Sequence, residues 1–247
     1  MFNLFSKKKS YGGRLDFSLL HTDMHAHLLP GIDDGARDME DSLVLIRGLA
    51  ELGYKKLITT PHILWDMYQN TPAIINQKLA EVNKAVKDAG IPVAIEAAAE
   101  YFLDEHVEEL LYKKEPLLTF GGNKVLAEFS MVYPPLNVKT VLFDMQMQGY
   151  QPVVAHPERY IYLQRNKEFY TELRDAGCLF QLNILSLTGN YGKSVASLAQ
   201  YLLDNGFYSL IGTDLHHTGH LEALKRVEMT ASLQQLLQSG QVLNSLL

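Results

Sequence analysis

Two histidines one residue apart are the first chemistry in this chain. His25 and His27 lie in the run Leu19-Leu20-His21-Thr22-Asp23-Met24-His25-Ala26-His27-Leu28-Leu29-Pro30. On a strand, side chains alternate faces, so both imidazoles point to one side with Asp23 in line behind them. Such a pair at a strand end is a chelate for a divalent metal. Alone, it reads more simply as two surface histidines on a half-polar strand. The rest of the chain changes that balance by repeating the pattern. His62 follows Thr59-Thr60-Pro61, Glu100 follows Ala97-Ala98-Ala99, and Glu128 follows Val125-Leu126-Ala127. His156 follows Val153-Val154-Ala155, and Asp214 and His216 follow Ile211-Gly212-Thr213. Singly, each has an ordinary role as a turn residue, an ion-pair partner or a helix cap. Together they put metal-type residues repeatedly at one end of the apolar runs, where burying carboxylates without cations is costly.

The ligand set is nitrogen and oxygen without thiolate, which favours Mn, Fe, Zn, Co or Mg. It exceeds what one ion uses. Two or three divalent ions are implied, bridged by a carboxylate, and Glu100 is the candidate bridge. Closely spaced ions lower the pKa of a shared water and clamp an in-line displacement at phosphorus. Arg159, just after His156-Pro157-Glu158, offers a planar fork that matches phosphate oxygens. Its plainer reading is a surface arginine paired with Glu158 or another nearby acid. Asp33 and Asp34 share the loop beside the two histidines, one suited to ligation and the other to turning the chain.

These residues need elements to hold them. The apolar runs predict strands over 19–27, 56–60, 93–100, 125–129, 152–156, 178–183 and 208–214. Between them lie helical patterns: from an Asp38 cap to Gly53 with Met39, Leu43, Ile46 and Ala50 on one face, over 72–89, over 104–112, from 138 to Gly149, over 195–205, and one amphipathic helix over 221–237. Pro134-Pro135 breaks the chain before the fourth of these. Strands and helices alternate about seven times, and the strands are nearly all apolar, as if buried on both faces. That predicts a parallel α/β fold, a barrel of roughly seven strands as readily as an open sheet, with all C-terminal strand ends opening on one face.

The chain has 247 residues, 47% of them hydrophobic and 20% charged, a globular balance with enough length for a full core. The net charge of -6 argues against a nucleic-acid surface but not against a small phosphorylated ligand. Cys178 is the one cysteine, so no internal disulfide forms, which suits a reducing compartment. No apolar run approaches a membrane span. Residues 1–18 read as a flexible apolar and basic leader whose charge order is wrong for a secretory signal, with residues 19–247 as one barrel domain.

Taken in order, His25-Ala26-His27, Pro30-Gly31-Ile32-Asp33-Asp34-Gly35-Ala36, Thr60-Pro61-His62, Ala99-Glu100-Tyr101, Ala127-Glu128-Phe129, Ala155-His156-Pro157-Glu158-Arg159-Tyr160 and Thr213-Asp214-Leu215-His216 resemble a PHP (polymerase and histidinol phosphatase) domain. Within that superfamily they resemble the bacterial protein-tyrosine phosphatases of capsule and exopolysaccharide gene clusters. The resemblance covers about residues 20–220. It implies a distorted TIM-like barrel, a site for three metal ions, commonly manganese, and hydrolysis of phosphotyrosine on a bacterial tyrosine autokinase that controls polysaccharide export. Carried over by motif, the metal ligands are His25, His27, Asp34, His62, Glu100, Glu128, His156, Asp214 and His216, and Arg159 holds the substrate phosphate. Such enzymes often carry a second arginine shortly after the Asp-x-His motif. Here Asp214-Leu215-His216-His217-Thr218-Gly219-His220 has none before Arg226, which leaves His217 or His220 as the substitute.

Trp65, Tyr101, Phe102, Tyr133 and Tyr160 are the aromatic residues near the motifs; each suits stacking on a tyrosine ring or, equally, ordinary packing at a barrel rim. A cysteine-dependent phosphatase is excluded, because that chemistry needs an arginine six positions after the cysteine and Ile184 stands there. Three rivals share the ligands: a small-molecule phosphatase of the histidinol-phosphate type, a metal-dependent nuclease, and a binding protein with a structural metal site. The expected location is cytoplasmic, near the inner face of the membrane through the kinase partner.

Overall fold

Capping residues set the helix boundaries and short apolar runs set the strands. The computed structural model describes residues 13–133 and 136–247. After a 3-10 turn at Phe17–Leu19 come β1 (Thr22–Asp23), α1 (Met39–Leu52), β2 (Lys56–Thr59), β3 (His62–Ile63) and α2 (Pro72–Asp88). Next are β4 (Ala94–Ala97), β5 (Glu100–Phe102), α3 (Glu105–Lys113), β6 (Lys124–Glu128), α4 (Val138–Met147) and β7 (Gln151–Val154). The chain ends with α5 (Glu168–Asp175), β8 (Leu179–Asn183), α6 (Lys193–Asp204), β9 (Leu210–Gly212), α7 (Thr218–Leu224) and α8 (Ala231–Gln238). Asp38 caps α1 by accepting from the Asp41 N–H, and Gly53 ends it at φ +114°, a left-handed turn that only glycine makes cheaply. Thr71 caps α2 with Pro72 in its first turn, and Asp104 caps α3.

All strand pairs are parallel. They form a three-stranded sheet, β1-β2-β4, and a six-stranded sheet, β3-β5-β6-β7-β8-β9. Backbone hydrogen bonds join the two. Glu100 N donates to Pro61 O at 3.1 Å, so β2 with β3, and β4 with β5, are two arms broken in the middle. At the other seam Asp214 N donates to His25 O at 2.7 Å and His27 N to Leu215 O at 2.9 Å. Buried Asp23 latches that seam, accepting from the Thr213 N–H at 3.0 Å and its hydroxyl at 2.5 Å. With each broken pair counted as one arm, the ring is the distorted parallel barrel of about seven strands that the alternation predicts. Met24, Ile58, Leu126, Val153 and Leu210 form one apolar cluster, which only the interior of a curled sheet brings together from those strands. A larger cluster fills the layer between strands and helices.

Several boundaries differ from expectation. The first strand is Thr22–Asp23, because Phe17–Leu19 winds into a 3-10 turn capped by Asp16. The strand expected over 93–100 is split at Ala98 and Ala99, and β4 is covered on one face only, with Glu96 exposed and paired to Lys56 at 2.7 Å. The buried face of α1 is centred on Ser42, Leu45, Ile46 and Leu49, a turn's fraction away from the expected stripe. The tail helix is two helices, separated where Thr230 caps the second. Residues 1–12 of the expected leader and Pro134-Pro135 lie outside the described residues. From Gly13 onward the chain packs on the barrel, with Leu15 and Phe17 buried and Leu15 N bonded to Val227 O. The last part of the expected leader therefore belongs to the folded body. Among the described residues no helix is long and apolar enough to cross a membrane.

Candidate metal centre

The residues expected at strand ends converge at the C-terminal face of the barrel, lining one cleft or, for His25 and His27, buried directly beneath it. His25 and His27 follow β1 on one side of the extended chain, and their rings converge so that the Nε2 atoms lie 3.3 Å apart. His62 opens β3 and Glu100 opens β5; the register pairs them directly. Glu128 ends β6. His156 and Asp214 each stand two residues beyond a strand, at φ +29° and +51°. Non-glycine residues at positive φ cost energy, and such strain gathers where a side chain must be aimed.

Glu100 is the centre of the cluster. Its buried carboxylate lies 3.1 Å from His25 Nε2, 3.4 Å from His27 Nε2, 3.3 Å from His62 Nδ1 and 3.1 Å from His156 Nε2. Three sets have donor atoms close enough to share an ion: His25, His27, Glu100 and Asp214; His27, Asp34, His62 and His216; and His62, Glu100 and Glu128. His156 Nε2 is 3.5 Å from Glu128, beside the third set. Glu100 belongs to two of them, as a bridging carboxylate must.

Protonation fits metal binding. Burial opposes charge on His25, but Glu100 and Asp214 outweigh it and hold its titration above the ordinary histidine range. Burial likewise opposes the ionised forms of Glu100 and Asp214, yet the surrounding histidines keep both well below the usual carboxylate range. Glu128 goes the other way: burial, then the charge of Glu100, pushes it well above that range. Burial, then Arg159, brings His156 down to about 4, so its ring is neutral and has a free lone pair. His62 Nδ1 is buried with no hydrogen bond, facing Glu100 and, at 3.7 Å, Glu128. An orphaned nitrogen between two carboxylates, one of them short of positive charge, suits divalent cations.

The Asp33-Asp34 pair divides as the two alternatives allow. Asp34 faces the cleft, 3.5 Å from both His62 Nε2 and His216 Nε2, and its hydrogen bond to His216 brings it to about 2. Asp33 points inward. It accepts from His27 Nδ1 at 2.8 Å, Gly35 N at 3.0 Å and His62 N at 3.2 Å, turning His27 Nε2 toward the centre. Asn183, which carries no sequence signal, donates to Asp214 at 2.9 Å.

Arg159 does not pair with Glu158. Its Nη1 bonds Asp214 Oδ2 at 2.8 Å, and its guanidinium lies over the Tyr191 ring at 4.8 Å. Glu158 is buried instead, accepting from Asn183 N and the Tyr208 hydroxyl, each at 3.0 Å, and burial pushes it up to about 7. The cleft holds about 390 Å³, and its wall includes Leu64, Met67, Tyr68, Met131, Tyr191 and Arg159. His217 is at the exposed rim, outside the three sets, and its side chain caps α7 by accepting from the His220 N–H. Of the aromatic residues expected to stack on a substrate, Tyr101 and Tyr160 are buried with their hydroxyls on Leu118 N and Phe129 N. Trp65 stacks on His106, and none of the expected five lines this cleft. Tyr68 and Tyr191 take that place. Cys178 is buried, with its thiol pushed up to about 11, so it is no nucleophile here.

Comparison with known proteins agrees with this geometry. The model of a family described as "Capsular polysaccharide synthesis, CpsB/CapC" matches residues 21–236. The chain is 30% identical over 195 residues to the tyrosine-protein phosphatase YwqE of Bacillus subtilis, covering 79% of this chain and 77% of that protein. It is 28% identical over 200 residues to the tyrosine-protein phosphatase CpsB of Streptococcus pneumoniae, covering 79% and 82%. One solved structure, described as "Crystal structures of YwqE from Bacillus subtilis and CpsB from Streptococcus pneumoniae, unique metal-dependent tyrosine phosphatases", superposes with a TM-score of 0.76 at 29% identity, over 89% of this chain and 87% of that one.

Proposed function

The chain belongs to the CpsB/CapC family of capsular polysaccharide synthesis, and from that premise we propose that the cleft is the active site of a metal-dependent protein-tyrosine phosphatase. One observation carries the reading: a buried carboxylate, Glu100, contacted by four imidazoles beside an arginine. His25, His27, Asp34, His62, Glu100, Glu128, His156, Asp214 and His216 would hold two or three divalent ions, manganese first among them, with Glu100 shared. Bound ions of this kind supply Lewis-acid charge to phosphoryl oxygens and lower the pKa of water.

The chain's own residues do the rest. Arg159 is held by Asp214 and Tyr191 and presents its remaining N–H groups to the cleft, where a fork of donors suits phosphate. Tyr68, Met67 and Met131 form an aromatic and thioether wall for the tyrosine ring. A phenolate has a conjugate acid of pKa about 10, so its departure depends less on a proton than that of an alkoxide. This reduces the need for a strong general acid, and His217 and His220 at the rim provide phosphate or leaving-group donors where relatives of this kind often place an arginine. The substrate is a phosphotyrosine segment of a bacterial tyrosine kinase in polysaccharide synthesis, met at the cytoplasmic face of the membrane.

The test is phosphate release from a phosphotyrosine peptide and from histidinol phosphate, with manganese and with chelator, for wild type and His25→Ala. Metal-dependent release that prefers the peptide and disappears in the variant is expected. Preference for histidinol phosphate would keep the metal centre and overturn the substrate; release unaffected by chelator would overturn both.

A further inference from the structure

We infer that Gln181, a residue outside the ligand set, fixes which nitrogen of His25 faces the metal centre and at the same time holds the strained backbone of His156. It is a positioning residue; the inference rests on the metal-centre reading above. Gln181 lies in β8 and is fully buried. Its Oε1 is 3.1 Å from the backbone N of His156 and 3.0 Å from His25 Nδ1.

The orientation of the amide follows from its neighbours. A main-chain N–H only donates, so the amide atom facing His156 N is the oxygen. That same oxygen is within reach of His25 Nδ1, and an oxygen without a proton only accepts. Nδ1 of His25 therefore carries a hydrogen, which leaves Nε2 as the nitrogen able to offer a lone pair to an ion. Nε2 is the atom that lies 3.1 Å from Glu100, 3.3 Å from Asp214 and 3.3 Å from His27 Nε2. Asp33 sets His27 in the same way through its Nδ1, but with a carboxylate. Gln181 does it with a neutral group, adding no negative charge where Glu100, Glu128 and Asp214 already crowd.

The second bond matters as much. His156 is at φ +29°, with its N–H turned inward. Without Gln181 Oε1 that buried donor has no partner, and its loss weakens the turn that aims His156 Nε2 at Glu100, 3.1 Å away. Two ligands 131 positions apart in sequence thus depend on one side-chain oxygen. Space around it is tight: a Cβ on Gly212 would lie 2.8 Å from Gln181 Nε2 and 2.7 Å from His25 Cβ.

The experiment compares wild type, Gln181→Met and Gln181→Glu. Methionine keeps the volume and removes the acceptor; glutamate keeps the acceptor. Nitrogen-15 NMR of the histidine rings in metal-free protein at alkaline pH, with His25 assigned by its absence in His25→Ala, reads the tautomer directly. Manganese affinity is read by competition with a chelator, and circular dichroism checks the fold. Expected are an Nδ1–H tautomer for His25 in wild type and Gln181→Glu, its loss in Gln181→Met, and a manganese dissociation constant raised about 10–100-fold in Gln181→Met alone. An Nε2–H tautomer in wild type, or an Nδ1–H tautomer and wild-type affinity retained in Gln181→Met, would overturn the inference. If Gln181→Met does not fold, loss of the Nδ1–H tautomer in folded Gln181→Glu also overturns it. A wild type that binds no manganese would instead overturn the metal-centre reading, while the tautomer measurement still decides the role of Gln181.

Discussion

Glu128→Gln should have opposite effects with and without metal. In the metal-free chain Glu128 shares a buried set with His62 and Glu100 whose donor atoms lie within 4.8 Å of one another. Two unit charges at that separation repel by about 3 kcal/mol at an effective dielectric of 20. The chain avoids this by keeping Glu128 protonated above its ordinary value of 4.5, first through burial and then through Glu100. A raised carboxyl contributes stability that is complete below the unfolded value and declines as pH rises toward the folded one, at about 1.4 kcal/mol per pH unit. Glutamine imitates the protonated form at every pH. In chelator, Glu128→Gln should therefore match wild type near pH 4.5 and exceed it near neutrality by up to about 3 kcal/mol. With manganese the order reverses, because wild type gains the full RT ln(1 + [L]/Kd), about 2.7 kcal/mol at one hundred times Kd, and the variant gains less. The assay is urea unfolding of both proteins at several pH values, with manganese and with chelator. A variant less stable than wild type in chelator, or an equal manganese increment in both, would refute the reasoning.

Three further outcomes are expected. Arg159→Met should lower kcat/KM on a phosphotyrosine peptide by about 10–100-fold, the worth of a charge-assisted hydrogen bond, while bound manganese measured by elemental analysis stays at the wild-type level. Glu158→Gln should change the pH profile of stability: the buried carboxyl, raised to about 7, contributes below pH 4.5 and loses roughly 3 kcal/mol as pH rises through 7, so unfolding curves from pH 4.5 to 8.5 should show the variant gaining on wild type. Gly35→Ala should lower stability by about 1–3 kcal/mol and weaken manganese binding, since its Cβ would meet His27 O at 2.3 Å and His27 Cβ at 2.4 Å; thermal melts with and without manganese read both effects.

The expected site residues are legible because metal ligation uses few side-chain types and because turn residues such as Pro61 and Pro157 mark where strands end. His62 and Glu100 face each other because both begin strands in one register, whereas the apolar runs alone place each at a strand's end. The breaks between β2 and β3 and between β4 and β5 are not legible: they come from curling the sheet, and the alanines at 97–99 read as continuous strand. The aromatic wall is not legible for a similar reason. Trp65 leaves the cleft to stack on His106 while its backbone N bonds Asp104 at 3.1 Å, and the same loop turns Tyr68 inward beside His62. Gln181 and Asn183 carry no signal because a single polar residue in an apolar strand has many ordinary uses, and Asp23, in line with the two histidines, gives no sign that it latches Thr213. What singles them out is the partner across the barrel.

The most direct measurement is phosphotyrosine-peptide hydrolysis by the metal-free chain as manganese is added back, with bound ions per chain counted at each point. Activity that is absent without metal, rises to a plateau at two or three ions per chain, and never appears in Glu100→Ala is the expected result. Full hydrolysis by metal-free protein, or a plateau at a single ion, would contradict a shared centre built on Glu100.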